Sequence, residues 1–187
     1  RDHKSSRGLG DVYKRQNSIC IFGVFVADLC FFADKIPIKG ETVLGKNHIV
    51  GPGGKGSNQA IAAARLGGNV NFITKIGDDQ NAKMALKLYE EAGINTDSII
   101  QDPNQSTGVA GIMINEKTGD NAINIVPGAA GSISNEDIDN NIEFIKKSEI
   151  FLTQLETPND VTSYALNRAK ETGSITIKHD ATPPIIR

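Results

Sequence analysis

Ile19–Ala27 reads ICIFGVFVA, a run without a single charged residue. A near-continuous apolar stretch of this length, rich in β-branched and aromatic side chains, is what a strand buried on both faces requires. It is therefore read as a central strand of a parallel sheet, with Asp28 just past its carboxyl end. Helix and strand patterns alternate downstream. Ser57–Leu66 (SNQAIAAARL) is Ala-rich and stopped by Gly67 and Gly68. Val70–Ile76 is the next strand, Gln80–Ala92 the next helix with Gly93 behind it, and Ile94–Ile100 a short extended piece. Ser134 and Asp137 stand at capping-box spacing ahead of a helix to Lys147, and Glu149–Thr153 is a strand. Thr157–Asp160 opens a helix ended by Gly173, and Ser174–Lys178 is one more strand. Repeated β then α with short connections predicts an α/β fold, a mainly parallel sheet flanked by helices. Two groups fit that sheet poorly: short alternating pieces within residues 36–50, around Thr42–Leu44 and His48–Val50, and a hairpin over residues 107–126 that turns at Thr118-Gly119-Asp120. They are assigned to a second, smaller sheet.

The chain has 187 residues, enough for one medium-sized domain or for part of a larger one. Hydrophobic residues make up 39% and charged residues 22%, with a formal net charge of −2. That balance fits a folded globular chain and offers no basic surface for nucleic acid. Seven Phe, three Tyr and no Trp leave little with which to stack bases. No apolar run approaches the roughly 18 to 20 residues of a membrane helix, and Arg1–Gln16 lacks the apolar centre of a signal peptide. A cytoplasmic location is expected. Cys20 and Cys30 have neither CxxC spacing nor a His cluster beside them, so they are read as buried thiols, with no metal site. Arg1–Gln16 carries five basic and two acidic residues without periodicity and is read as a disordered or foreign extension, which leaves residues 17–187 as the domain. That domain stops at Arg187, just after the Pro183-Pro184 turn and with no closing helix, so truncation is expected.

Chemistry concentrates in Gly51-Pro52-Gly53-Gly54-Lys55-Gly56-Ser57-Asn58, which leads from a strand-like piece into a helix. Consecutive glycines let backbone N–H groups and a helix N-terminus approach a ligand, and Lys55 and Asn58 add side-chain donors. A Walker A loop ends in Gly-Lys-Ser/Thr, whereas Gly56 follows Lys55 here. Gly51, Gly53 and Gly56 satisfy the GxGxxG of a dinucleotide fingerprint, with Asp78 near the distance of a ribose-binding acid. Against it, Gly77 turns the chain before that acid, and a buried strand at Ile19 already precedes the motif. A glycine turn that only packs a helix on a sheet is the third reading.

Taken with their neighbours, these residues resemble the ribokinase branch of the PfkB carbohydrate kinases. The resemblance runs collinearly from Ile19 to about Pro184. It rests on Gly23-x-x-x-Ala27-Asp28, Gly40-Glu41-Thr42, Gly53-Gly54-Lys55-Gly56-Ser57-Asn58-Gln59-Ala60, Gly77-Asp78-Asp79, Ser106-Thr107-Gly108-Val109-Ala110, Val126-Pro127-Gly128-Ala129 and Gln154-Leu155-Glu156-Thr157-Pro158. It implies a Rossmann-like core with a small β-sheet lid over a sugar, and phosphorylation of a pentose, D-ribose to ribose 5-phosphate, with ATP and Mg2+. A monovalent cation such as K+ is a further candidate. It also implies a homodimer paired through the lid. Asp28, Gly54, Lys55, Asn58 and Glu156 would hold the sugar hydroxyls, a role suited to carboxylates that accept and amide or ammonium groups that donate. Taken singly, Asp28 also reads as a turn former or cap, Glu156 as a loop acid, Asn58 as a helix cap, Lys55 as an exposed cation and Asp78-Asp79 as a helix N-cap.

The general base of these kinases, an Asp in a GxGD motif, is expected beyond Arg187. Gly8-Leu9-Gly10-Asp11 precedes the first strand and is read as accidental. By itself the chain is expected to be inactive. Val24 and Val26 stand where this branch usually carries Ser and Asn, and Asp180-Ala181-Thr182-Pro183 where it carries Asn-Pro-Ala-Pro, so the exact sugar stays open. A fructose or nucleoside kinase and a non-catalytic sugar-binding module are the alternatives.

Overall fold

The computed structural model describes residues 17–180. The segment Arg1–Gln16, its Gly8–Asp11 motif and the Pro183-Pro184 turn lie outside the described residues. Among the described residues nine strands form two sheets. Five of them, β1 (Ser18–Phe22), β4 (Asn69–Ile76), β5 (Ile99–Gln101), β8 (Ile150–Gln154) and β9 (Ile175–His179), make a parallel sheet in the order β5-β4-β1-β8-β9. The helices α1 (Lys55–Arg65) and α2 (Gln80–Ala92) cover one face, where Ile21, Phe72, Ile61, Ala85 and Tyr89 form a buried cluster. On the other face α3 (Asn135–Asn140), α4 (Ile142–Lys146) and α5 (Asn159–Glu171) bury Cys20, Phe22, Ile73, Phe151 and Ala165. Consecutive residues of β1 thus feed opposite cores, as an unbroken apolar run requires of a central strand.

That run is nevertheless not one strand. β1 ends at Phe22, residues Gly23–Phe25 cross out of the sheet, and Val26 begins β2 (Val26–Ala33) in a second sheet ordered β3-β2-β6-β7. Phe25 stays fully buried, meeting Tyr89 edge to face at 6.2 Å, so the crossing segment is as apolar as the strands it joins. Hydropathy could not mark the break. Asp28, read as lying beyond the end of a central strand, is instead the third residue of β2.

The second sheet contains β3 (Asn47–Gly53), β6 (Thr107–Asn115) and β7 (Asn121–Gly128) beside β2. The β6–β7 hairpin pairs antiparallel as its turn residues predict, β2 and β6 run parallel, and β3 adds an antiparallel edge. Thr42–Leu44 is not a strand but part of an exposed connection, and only Asn47 onward pairs. The extended piece Ile94–Ile100 shrinks to β5 and one bridge, Asn71 to Asn95. The helix expected from Ser134 to Lys147 keeps its capping box but breaks at Asn141, whose Nδ2 donates to the Asp137 carbonyl at 2.9 Å. Cys20 is fully buried, whereas Cys30, on β2, is only partly so. Among the described residues no helix is long and apolar enough to cross a membrane.

Candidate functional site

The two sheets meet at the ends of β1 and β8, and the resemblance-derived residues gather there. The β1–β2 crossing and the first turn of α1 touch through backbone, because a Cβ on Gly23 would stand 2.8 Å from the Gly56 Cα. The side chain of Gln154, the last residue of β8, lies over Gly23 and donates from Nε2 to Gln59 on α1. This tight junction sets where α1 begins. Gly54 precedes it with φ +92°, a conformation open only to glycine, directly beneath the Val24 carbonyl.

Glu156, two residues beyond β8, closes the N-terminus of α1. Its Oε2 accepts from the Lys55 N–H at 2.9 Å and its Oε1 from Lys55 Nζ at 2.5 Å. The Ser57 N–H donates to the Val24 carbonyl at 3.2 Å and the Asn58 N–H to the Gly54 carbonyl at 2.9 Å. An acidic side chain therefore already occupies the position that the helix dipole offers to an anion. The phosphate and dinucleotide readings of Gly51–Asn58 fail on this point. They also fail on topology, because the strand leading into the glycines is β3 of the second sheet and not a strand of the parallel one.

Asp28 comes from the opposite side. Its carboxylate packs against Gly53, where any Cβ would collide with it, and it makes no hydrogen bond among the described residues. Burial raises its pKa, and the Glu156 charge raises it further. Asn58 is exposed on α1, one turn from Lys55. The structure thus brings three side chains, Asp28, Lys55 and Glu156, to one junction beside Gly54, with Asn58 exposed one helical turn beyond Lys55. The helix-cap reading of Asp28 is excluded by its place inside β2, and Glu156 is no solvated loop acid, being 15% exposed in its ion pair. Asp79 is the N-cap of α2, as read. The sequence motifs gave Gln154 no role and Gly53 only a place in the dinucleotide pattern. What distinguishes them is packing against residues far along the chain.

Residues 16–182 match the family described as pfkB family carbohydrate kinase. The chain belongs to that family. It is similar to a ribokinase of Dictyostelium discoideum, 36% identical over 168 residues that cover 90% of this chain and 52% of the relative. A deoxyribokinase of Salmonella typhimurium is 37% identical over 155 residues, covering 83% of this chain and 50% of the relative. Among solved structures, a ribokinase of Arabidopsis thaliana complexed with ribose and ATP aligns with a TM-score of 0.74 at 28% identity, over 86% of this chain and 52% of that one. The chain spans about half the length of the relatives that it matches.

Proposed function

We propose that this chain carries the sugar-binding part of a kinase that transfers phosphate from ATP to the hydroxymethyl group of a pentose, D-ribose first among them. The observation that carries the reading is the Asp28 carboxylate, partly buried, without a hydrogen bond among the described residues, and held near the Glu156–Lys55 pair although burial and the Glu156 charge penalise its own. A polyol supplies what this arrangement lacks: hydroxyls donating to Asp28 and Glu156, and oxygens accepting from Lys55 Nζ and Asn58. Phosphoryl transfer further requires charge neutralisation at the phosphate and a base at the hydroxyl. The α1 N-terminus is committed to Glu156, so the ATP phosphates, and with them Mg2+, are assigned to other parts of the whole protein; a monovalent cation such as K+ belongs to the same proposal, and this chain alone is taken to be inactive. A cytoplasmic homodimer paired through the four-stranded lid completes the proposal. It is supported by exposed apolar residues on both lid faces, Ile49, Ile123 and Ile125 on one and Phe31, Val50 and Val126 on the other.

Asp28→Asn is expected to weaken ribose binding by about 1.5 to 3 kcal/mol, the range for a hydrogen bond to a charged group. The fold should not suffer. A carboxyl whose folded pKa is raised destabilises the protein above that pKa, and the effect is relieved as pH falls through it. A neutral amide removes the penalty, so the Tm at neutral pH should hold or rise. Calorimetric titration with ribose and a thermal melt test both statements; a lower Tm with ribose affinity intact would return Asp28 to a structural role.

Val26 lines the same face of β2 as Asp28, two residues before it, and is 5% exposed. An apolar wall there rejects an added hydroxyl only modestly, whereas a hydrogen-bonding residue strongly rejects a sugar lacking one. In a protein extended to the relatives' full length, Val26→Asn is expected to improve kcat/KM for ribose over 2-deoxyribose by about 1 kcal/mol. The deoxyribokinase relative makes 2-deoxyribose the natural comparison substrate. An unchanged ratio would show that Val26 does not face the sugar.

A further inference from the structure

Two motifs remain outside the sugar site, Gly77-Asp78-Asp79 at the end of β4 and Ser106-Thr107-Gly108 at the start of β6, and the structure joins them. Asp79 uses its two carboxylate oxygens on different bodies: Oδ1 accepts from the Ala82 N–H at 2.9 Å and caps α2, while Oδ2 accepts from the Thr107 N–H at 2.7 Å. Thr107 answers in the opposite direction, its Oγ1 accepting from the Gly77 N–H at 3.0 Å. Thr107 is 2% exposed and is the first residue of β6, which pairs with both β2 and β7 inside the lid sheet. Helix capping needs only one oxygen. The second oxygen and the reciprocal bond from Gly77 lie between the parallel sheet's β4–α2 corner and the lid.

We propose that Asp79 and Thr107 form the latch that holds the lid sheet on the α/β core. On the sugar-kinase reading, which this part of the inference rests on, Asp79 is a positioning residue. Asp28 rides on lid strand β2, next to β6, whereas Lys55, Asn58 and Glu156 belong to the core. The spacing between the two groups therefore depends on how the lid is seated.

Asp79→Asn separates the two duties of the carboxylate. Asparagine caps a helix as well as aspartate does, but with its one oxygen on Ala82 it turns an NH2 group toward the Thr107 N–H, donor against donor. Hydrogen exchange of the 187-residue chain is expected to quicken about tenfold or more at lid amides of β2, β6 and β7, with Ala82, Lys83, β1 and β4 unchanged. Thr107→Val, which removes the acceptor for Gly77 and the hydroxyl's own hydrogen bond to Asp79, should quicken the same amides, and Thr107→Ser should restore the native pattern. Acceleration confined to α2, spread evenly over both sheets, or absent would overturn the latch. In calorimetry Asp79→Asn should also weaken ribose binding by about tenfold or more while Thr107→Ser leaves it intact. A loosened lid with unchanged ribose affinity would overturn the positioning role. A native chain that ignores ribose would instead remove the sugar reading, and exchange alone would then decide the latch.

Discussion

Gly54→Ala is expected to destabilise the fold by about 3 kcal/mol or more, a large part of the roughly 5 to 15 kcal/mol that holds a domain of this kind together. Two effects add. At φ +92° and ψ 130° an L-residue is strained by about 1 to 3 kcal/mol. The new Cβ would also enter the van der Waals shell of the Val24 carbonyl oxygen and lie 3.0 Å from the Val24 carbonyl carbon and 3.2 Å from the Phe25 Cα. All of these are backbone atoms of the β1–β2 crossing, which cannot retreat without moving Gly23 away from Gly56. Gly67 is the control: it has φ +88° with nothing within 4 Å of an added Cβ, so Gly67→Ala carries backbone strain alone. Urea unfolding of the two variants should differ by at least about 1 kcal/mol, the smaller loss belonging to Gly67. Equal losses would show that the close approach beneath Val24 contributes nothing.

Glu156→Gln is expected to lower stability by about 2 to 3 kcal/mol and to abolish measurable ribose binding. A carboxylate accepts from both Lys55 donors, whereas a glutamine has one oxygen and must present its NH2 group to the other. The half-buried ammonium loses its counter-charge, and the first turn of α1 loses an anion at its positive end, a contribution of about 0.3 to 1 kcal/mol by itself. The change should also be felt by Asp28. Burial is the larger cause of its raised pKa and Glu156 the second, so the Asp28 carboxyl in the variant should titrate lower than in the native chain while staying above an ordinary aspartate. Carboxyl-detected NMR titration of both proteins measures this. An Asp28 that titrates identically in the two would show that the carboxylates do not share a site, and the sugar reading would lose its main support.

Much of the parallel layer was legible because its signals are local. The Ala-rich segment from Ser57, the capping box at Ser134 and Asp137 and the apolar runs at Val70 and Glu149 each depend on residues within a few positions of one another; each formed where expected, although the helix behind the capping box breaks at Asn141. Thr42–Leu44 misled for a related reason. Alternation shows which strand a segment could form, but pairing needs a neighbour, and β2 finds its partner only from Asn47 onward.

The site divides along the same line. By itself the sequence determined an α/β protein with two outlying strand groups, and it named Asp28, Gly54, Lys55, Asn58 and Glu156 through collinear motifs. Residue type and order carry that much. The anion at the head of α1, by contrast, is Glu156, 101 residues from Lys55 along the chain, and only the folded arrangement of β8 against α1 shows that it excludes a phosphate from the glycine loop. The break at Gly23 was equally hidden, since most of β1, the crossing and the first two residues of β2 are buried, and burial selects apolar residues whatever path the backbone takes. Local periodicity reports solvent exposure, whereas the exchange of one sheet for another is a contact between segments distant in sequence, and only tertiary packing decides it.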